Sequence, residues 1–263
     1  MPPPKVITVD PFSRLAVHLK MYRDDRELAT GTGFLWRLPD RIALVTAWHC
    51  LTGAHPETKK ALSEETGARP NKIEVSLLMS DFGHSHYMLD LYDAEGDPIW
   101  YIHPLGFGEV DLAAVFFDAT LPPKCAALFA NEIGTQNHLF AVGSEVFILG
   151  FPKNLHRMGL PIWKRGSLAV EPDAVIDQPG HRHYLVDTAS RDGMSGALVI
   201  SRARGGYTTP EGNVYFGNDA TQILGHYTGR IGTKDELAAQ LGMVWPIRYV
   251  HELFANPRLD DFV

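Results

Sequence analysis

The sequence predicts an all-β protein, and three observations carry that prediction. Short runs of β-branched, aromatic and aliphatic residues recur along the whole chain, at the spacing of a sandwich or barrel. Turn residues separate them: the 263 residues include 24 glycines and 18 prolines, which favours short strands over long helices. The intervals between the runs leave little room for crossover helices, so a parallel α/β sheet is not expected.

In order, the first set of strands is expected over residues 15–21, 33–38, 42–47, 73–79, 86–92, 99–103 and 112–117. The second set is expected over residues 146–150, 162–170, 183–188, 196–201, 213–216, 222–228 and 241–245. The stretch 118–142, with Pro122-Pro123 and Gly134, reads as the connection between two β units. That puts an N-terminal unit at 1–118, the connection at 119–142 and a C-terminal unit at 143–263. Two stretches look helical. Residues 58–66 are charged and short, enough for a turn or two on a surface loop. Residues 246–254 open on Pro246, tolerated in a first helical turn, and put Ile247, Val250, Leu253 and Phe254 on one face. This is the expected closing helix. Arg202-Ala203-Arg204-Gly205-Gly206 reads as a hairpin tip, while the Pro-rich start and residues 256–263 are expected to be loose.

Composition narrows the classes of function. A formal charge of −7 argues against a general nucleic-acid grip, which needs a basic surface. No stretch approaches the ~18–20 apolar residues that span a bilayer. The opening residues have no signal-peptide core, and the only cysteines are Cys50 and Cys125. Two buried thiols in a reducing compartment are expected rather than a disulfide, with a cytoplasmic address.

Three segments carry candidate chemistry. Val45-Thr46-Ala47-Trp48-His49-Cys50 reads as a strand ending in a histidine. Val110-Asp111-Leu112-Ala113-Ala114-Val115 is an aspartate opening an apolar strand. Asp192-Gly193-Met194-Ser195-Gly196-Ala197 sets a serine between glycines just before an apolar strand. A serine hydroxyl needs a base to become a nucleophile at neutral pH. Histidine titrates near that pH and can take and return a proton. A buried carboxylate fixes the imidazole tautomer and stabilises the imidazolium. Backbone N–H groups beside the serine would meet the oxyanion, and glycine at 193 permits the backbone geometry that aims them. Taken singly, Ser195 is a small polar turn residue, His49 a half-buried histidine and Asp111 a strand-start cap. The ordered triple on a β background reverses that reading. An α/β-hydrolase would run Ser, acid, His with a G-x-S-x-G elbow, and Ala197 breaks the elbow.

With these motifs the chain resembles the chymotrypsin-fold (trypsin-like) serine peptidases, whose chain order is His, Asp, Ser. The resemblance spans residues 31–254. Gly31-Thr32-Gly33-Phe34 resembles the strand before the catalytic histidine. Leu224-Gly225-His226-Tyr227-Thr228-Gly229 resembles the pocket-wall strand that pairs with a substrate backbone, and Gly242-Met243-Val244-Trp245-Pro246 the closing strand. The resemblance implies two perpendicular six-stranded antiparallel β-barrels, with His49, Asp111 and Ser195 in the cleft between them. It implies an oxyanion hole from the N–H groups of Gly193 and Ser195. It also implies substrate-binding roles for Ala189, His226, Tyr227, Thr228 and Gly229, and no metal or organic cofactor. The partner implied is a protein or peptide substrate.

The departures matter too. Digestive members carry an aspartate before the serine to receive a new N-terminus, and Met194 stands there instead. Zymogen activation of that kind is therefore not expected. Cys50 has no cysteine near Thr30-Gly31, where secreted members supply one. Both features resemble bacterial, disulfide-free members such as the Deg-type and glutamyl-endopeptidase-like enzymes. Ala189, six residues before the serine, would lie at the base of the primary pocket, which disfavours cleavage after Lys or Arg. A small or apolar side chain is expected there. Ala197, where the family usually has glycine, motivates the rival reading: a protease-like binding or regulatory module without catalysis. An unrestrained cytosolic protease would be harmful, so a regulatory protein partner is a further expectation.

Other motifs point elsewhere and are weaker. His84-Ser85-His86 and His181-Arg182-His183 could each pair histidines for a metal, but neither has a ligand neighbour at a diagnostic spacing. Gly31-Thr32-Gly33 lacks the third glycine and the following helix of a dinucleotide fingerprint.

Overall fold

A computed structural model describes residues 7–63, 65–117, 120–189, 191–230 and 240–262, with Arg230 by its backbone alone. The apolar runs of the first half become β1 (Ala16–Arg23), β2 (Arg26–Arg37), β3 (Ile42–Thr46), β4 (Lys72–Leu78), β5 (His84–Asp90), β6 (Trp100–Ile102) and β7 (Ala113–Phe117). They pair antiparallel in the order β5-β4-β1-β2-β3-β7-β6, making a barrel-like sheet. The second half supplies β8 (Glu145–Gly150), β9 (Ile162–Leu168), β10 (Tyr184–Asp187), β11 (Leu198–Ala203), β14 (Ala220–Arg230) and β15 (Leu241–Pro246). These close into a six-stranded barrel. The strands β12 (Gly206–Thr208) and β13 (Val214–Phe216) form a separate ribbon.

The run in β3 explains how the halves meet. Ile42 and Leu44 enter the core of the first sheet with Val17, Leu19 and Val75. Ala43 and Val45 face a second core shared with Leu149, Leu198 and Ile200 of the other half. Successive side chains leave a strand on opposite faces, so a strand apolar at every position is buried on both sides. The helix α2 (Arg248–Ala255) adds Tyr249, Val250 and Leu253 to that shared core.

Several expectations need correction. The segment before His49 is not strand to its end: β3 stops at Thr46, and His49 lies in a short helix, α1 (Trp48–Thr52). Residues 58–66 are not helical; among those described, Ala54 bridges Ala61, and Lys59 takes a positive φ of 63°. The stretch has no apolar face to bury, so its propensity is overridden. Glu64 lies outside the described residues. Pro246 ends β15 instead of opening the helix. Cys50 and Cys125 are both free thiols.

The segment near residue 260 is not loose. It forms β16 (Arg258–Leu259), which pairs with β6 and extends the first sheet to eight strands. The opposite crossing occurs near residue 10. A 3-10 turn over Pro11–Arg14, capped by Asp10, precedes β1 yet packs on the second barrel. Arg202 of β11 donates to Asp10 at 2.6 Å, and Trp163 Nε1 of β9 donates to Ser13 Oγ at 2.8 Å.

Candidate active site

The short helix α1 forms because its ends are satisfied. Gly53 closes it with φ 63° and donates to His49 O at 2.9 Å. At its start, the His49 N–H donates to Asp111 Oδ1 at 3.1 Å. The same carboxylate takes the imidazole: Asp111 Oδ2 lies 2.7 Å from His49 Nδ1. Asp111 is held between the fully buried Val110 and Leu112, just before β7. One carboxylate thus fixes both the backbone and the ring of His49 and favours a proton on Nδ1. Burial opposes the charge on His49, but the Asp111 carboxylate outweighs it and holds the pKa well above the usual imidazole range.

Behind the carboxylate lies His226 of β14. Its Nε2 is 3.0 Å from the Asp111 main-chain oxygen, and its Nδ1 has no partner among the described residues. Burial pushes its pKa down to about 4, so it is neutral. His226 is 0% exposed, so its ring is buried behind the carboxylate. Tyr227, 2% exposed, likewise belongs to the core of the second barrel, where its ring leaves no space for a Cβ at Gly242.

Ser195 sits in a turn pinned from three sides. Thr32 of β2 binds it twice: the Thr32 N–H donates to Ser195 O at 2.9 Å, and Thr32 Oγ1 donates to Gly193 O at 2.7 Å. Phe151 N donates to the same hydroxyl at 3.2 Å, and Lys153 N donates to Asp192 O at 2.7 Å. From β14, Tyr227 O accepts the Gly196 N–H at 2.7 Å. Glycine is required at two places. Gly193 has φ 91°, and a Cβ there would stand 2.4 Å from Phe151 O. Gly196 has φ 84°, and a Cβ would stand 2.0 Å from Thr32 O. The N–H groups of Gly193 and Ser195 make no hydrogen bond among the described residues. Ala197 is accommodated with its side chain in the core of the second barrel, where Met194 is also buried.

The serine hydroxyl donates to Thr228 O at 3.4 Å, and no hydrogen bond joins it to His49 among the described residues. Thr228 Oγ1 accepts the Trp245 indole at 3.1 Å. At Gly229 an added Cβ would meet nothing within 4 Å. Ala189 is half-buried after Thr188, whose N–H and hydroxyl are tied to Gln240 O and Arg165 O. Ser190 lies outside the described residues.

The histidine pairs have other occupations. His86 Nδ1 contacts Glu74 and Ser76, and His183 packs on Trp245. Among the described residues no group of three or more His, Cys, Asp or Glu could hold a metal ion. No described helix is long and apolar enough to cross a membrane. Sequence reasoning missed Thr32, Phe151 and Lys153 as supports of the serine turn. Thr32 stood inside a quoted motif, but its partners are remote in the chain.

No protein-family model and no curated protein matches the sequence. Solved structures do match. The serine endoprotease from Yersinia pestis aligns at TM-score 0.51 with 14% identity, covering 95% of this chain and 67% of that one. An inactive serine-to-alanine form of Rv3671c from M. tuberculosis aligns at TM-score 0.46 with 16% identity, covering 93% of this chain and 86% of that one. With its closed six-stranded barrel, its barrel-like first sheet and the first of these alignments, the chain has the chymotrypsin-like serine protease fold.

Proposed function

We propose that the chain is a serine endopeptidase working through Ser195, His49 and Asp111. The observation that carries this reading is the double grip of Asp111 on His49, at 3.1 Å to the backbone and 2.7 Å to the ring. Ser195 Oγ attacks the scissile carbonyl while His49 Nε2 takes its proton, and His49 then protonates the leaving amine. The carbonyl oxygen, now negative, takes the N–H groups of Gly193 and Ser195, which make no hydrogen bond among the described residues. Water repeats the cycle on the acyl-enzyme. Thr228 O and the open backbone at Gly229 pair with the substrate chain. Ala189 at the pocket base favours a small or apolar side chain over Lys or Arg. Buried Met194 offers no carboxylate to a new N-terminus, so trypsin-type zymogen activation is not used. Two free thiols suit a reducing, cytoplasmic setting, with a regulatory protein as restraint.

A second reading, a protease-like module without turnover, is favoured by one observation: the serine hydroxyl rests on Thr228 O rather than on His49. Catalytic hydrogen bonds in unliganded sites are often loose and tighten with substrate. A serine-directed fluorophosphonate separates the two readings. Labelling of the native chain, lost in Ser195→Ala together with on the order of 10³–10⁶ in kcat, is the expected result. No labelling under any condition would leave the module. Peptide libraries cut by the purified chain then define the cleavage preference.

A further inference from the structure

The indole of Trp48, the residue before His49, is fully buried and stacked on Phe107 at 4.3 Å. Phe262 meets its edge at 4.9 Å. Its Nε1 donates to Asp260 Oδ2 at 2.7 Å, and the same oxygen accepts Trp100 Nε1 of β6 at 2.6 Å. Asp260 Oδ1 accepts the N–H groups of Asp261 and Phe262 at 2.9 and 3.3 Å. Four donors thus meet the four lone-pair sites of one carboxylate that is 4% exposed. Burying a carboxylate is costly, and an apolar residue would often serve stability as well. What an apolar residue would not do is fix the orientation of the Trp48 indole, and with it α1.

We propose that Asp260 is a positioning residue for His49, acting through Trp48. The segment after α2 reaches back to α1, where its carboxylate holds Trp48 while Asp111 holds His49. The base is aligned with Ser195 only when both grips are made. This rests on the reading of His49 as the general base.

The two indoles allow a test that stability alone cannot mimic. Trp48→Phe and Trp100→Phe each delete one N–H bond of nearly equal length to the same oxygen and remove the same atoms. Only Trp48 is attached to the helix of His49. Trp48→Phe and Asp260→Leu are expected to lower kcat on the order of 10–100-fold with KM within about threefold, whereas Trp100→Phe keeps kcat within about threefold. The low-field proton resonance of His49 Nδ1–H is read on the same proteins and needs no turnover. It should broaden or shift in Trp48→Phe and Asp260→Leu and remain in Trp100→Phe. Equal kcat losses in the two tryptophan variants, or an unmoved His49 resonance in folded Asp260→Leu, would overturn the proposal. If the native chain neither turns over nor labels, the functional reading fails, and the resonance alone decides the clamp.

Discussion

Gly31 of β2 offers a direct test of the geometry around His49. A Cβ built on Gly31 falls 3.3 Å from Cys50 Sγ. Across a disulfide, with S–S near 2.05 Å, the Cβ of one residue stands about 3 Å from the sulfur of the other. Gly31→Cys should therefore close a bond to Cys50 with little backbone movement. Met21 Cε at 3.4 Å and Ser195 O at 3.6 Å from the same Cβ are ordinary to slightly tight neighbours. The closed loop runs from residue 31 to residue 50. For a loop of about 20 residues, the chain-entropy estimate is about 3 kcal/mol of stabilisation. In a protein of this size that raises Tm by about 6–12 °C, less any strain. The assay is a thiol count in denaturant without reductant, paired with melting curves with and without dithiothreitol. One free thiol, from Cys125, and a Tm that falls on reduction are expected. Three free thiols after mild oxidation, or a Tm indifferent to reductant, would refute the placement of Cys50 and of the helix that carries it.

Thr32→Val leaves Gly193 O and Phe151 N unpaired in a fully buried site. At ~1–3 kcal/mol per stranded group it should cost about 2–6 kcal/mol in urea denaturation and slow fluorophosphonate labelling on the order of tenfold; a change below about 0.5 kcal/mol would count against the pinned turn. Gly196→Ala places a Cβ 2.0 Å from Thr32 O and 2.3 Å from Thr46 Oγ1 at φ 84°, so a loss of about 3 kcal/mol or more is expected, and a native-like Tm would contradict the turn. Stability should also fall below neutral pH. Burial, reinforced by Lys20 at His18 and opposed by Asp111 at His226, holds both near pKa 4 in the folded chain against 6.5 unfolded. Between those values the unfolded state binds more protons, so each group removes about 1.4 kcal/mol per pH unit as pH drops. His49 has the opposite sign: its raised pKa gives stability that is lost as pH rises above 6.5. A maximum near pH 6.5 follows, read by urea midpoints across pH, with His18→Phe relieving part of an acid slope to which His84, His103, His138 and His183, also lowered by burial, contribute. A flat profile from pH 6.5 to 5 would refute the buried neutral histidines.

How much was legible depends on where the determining contacts lie. The run of β3 was readable because all five of its residues are buried, so composition alone betrays it. The charged start of β2 was not, because Arg26 and Glu27 are exposed in a hairpin whose pairing with β1, not apolarity, makes them strand. The helix α1 is too short for periodicity, and it exists through Asp111, 62 residues away. Asp260 bonds Trp48 across 212 residues, a contact no local pattern announces. At the site, His49, Asp111, Gly193 and Ser195 stood in local motifs and come together or lie in one turn. His226 shared a motif with Thr228, but the contact that holds its ring behind the Asp111 main chain spans 115 residues, which no local pattern announces.

The crossing of segments 10–13 and 258–262 bears on how the molecule melts. Each half is clasped by a stretch of chain that belongs in sequence to the other side. Prising the halves apart means losing both clasps and the shared core in one event, so a single cooperative transition is expected rather than one per half. A protease nick within 120–142 would then leave two fragments that stay associated.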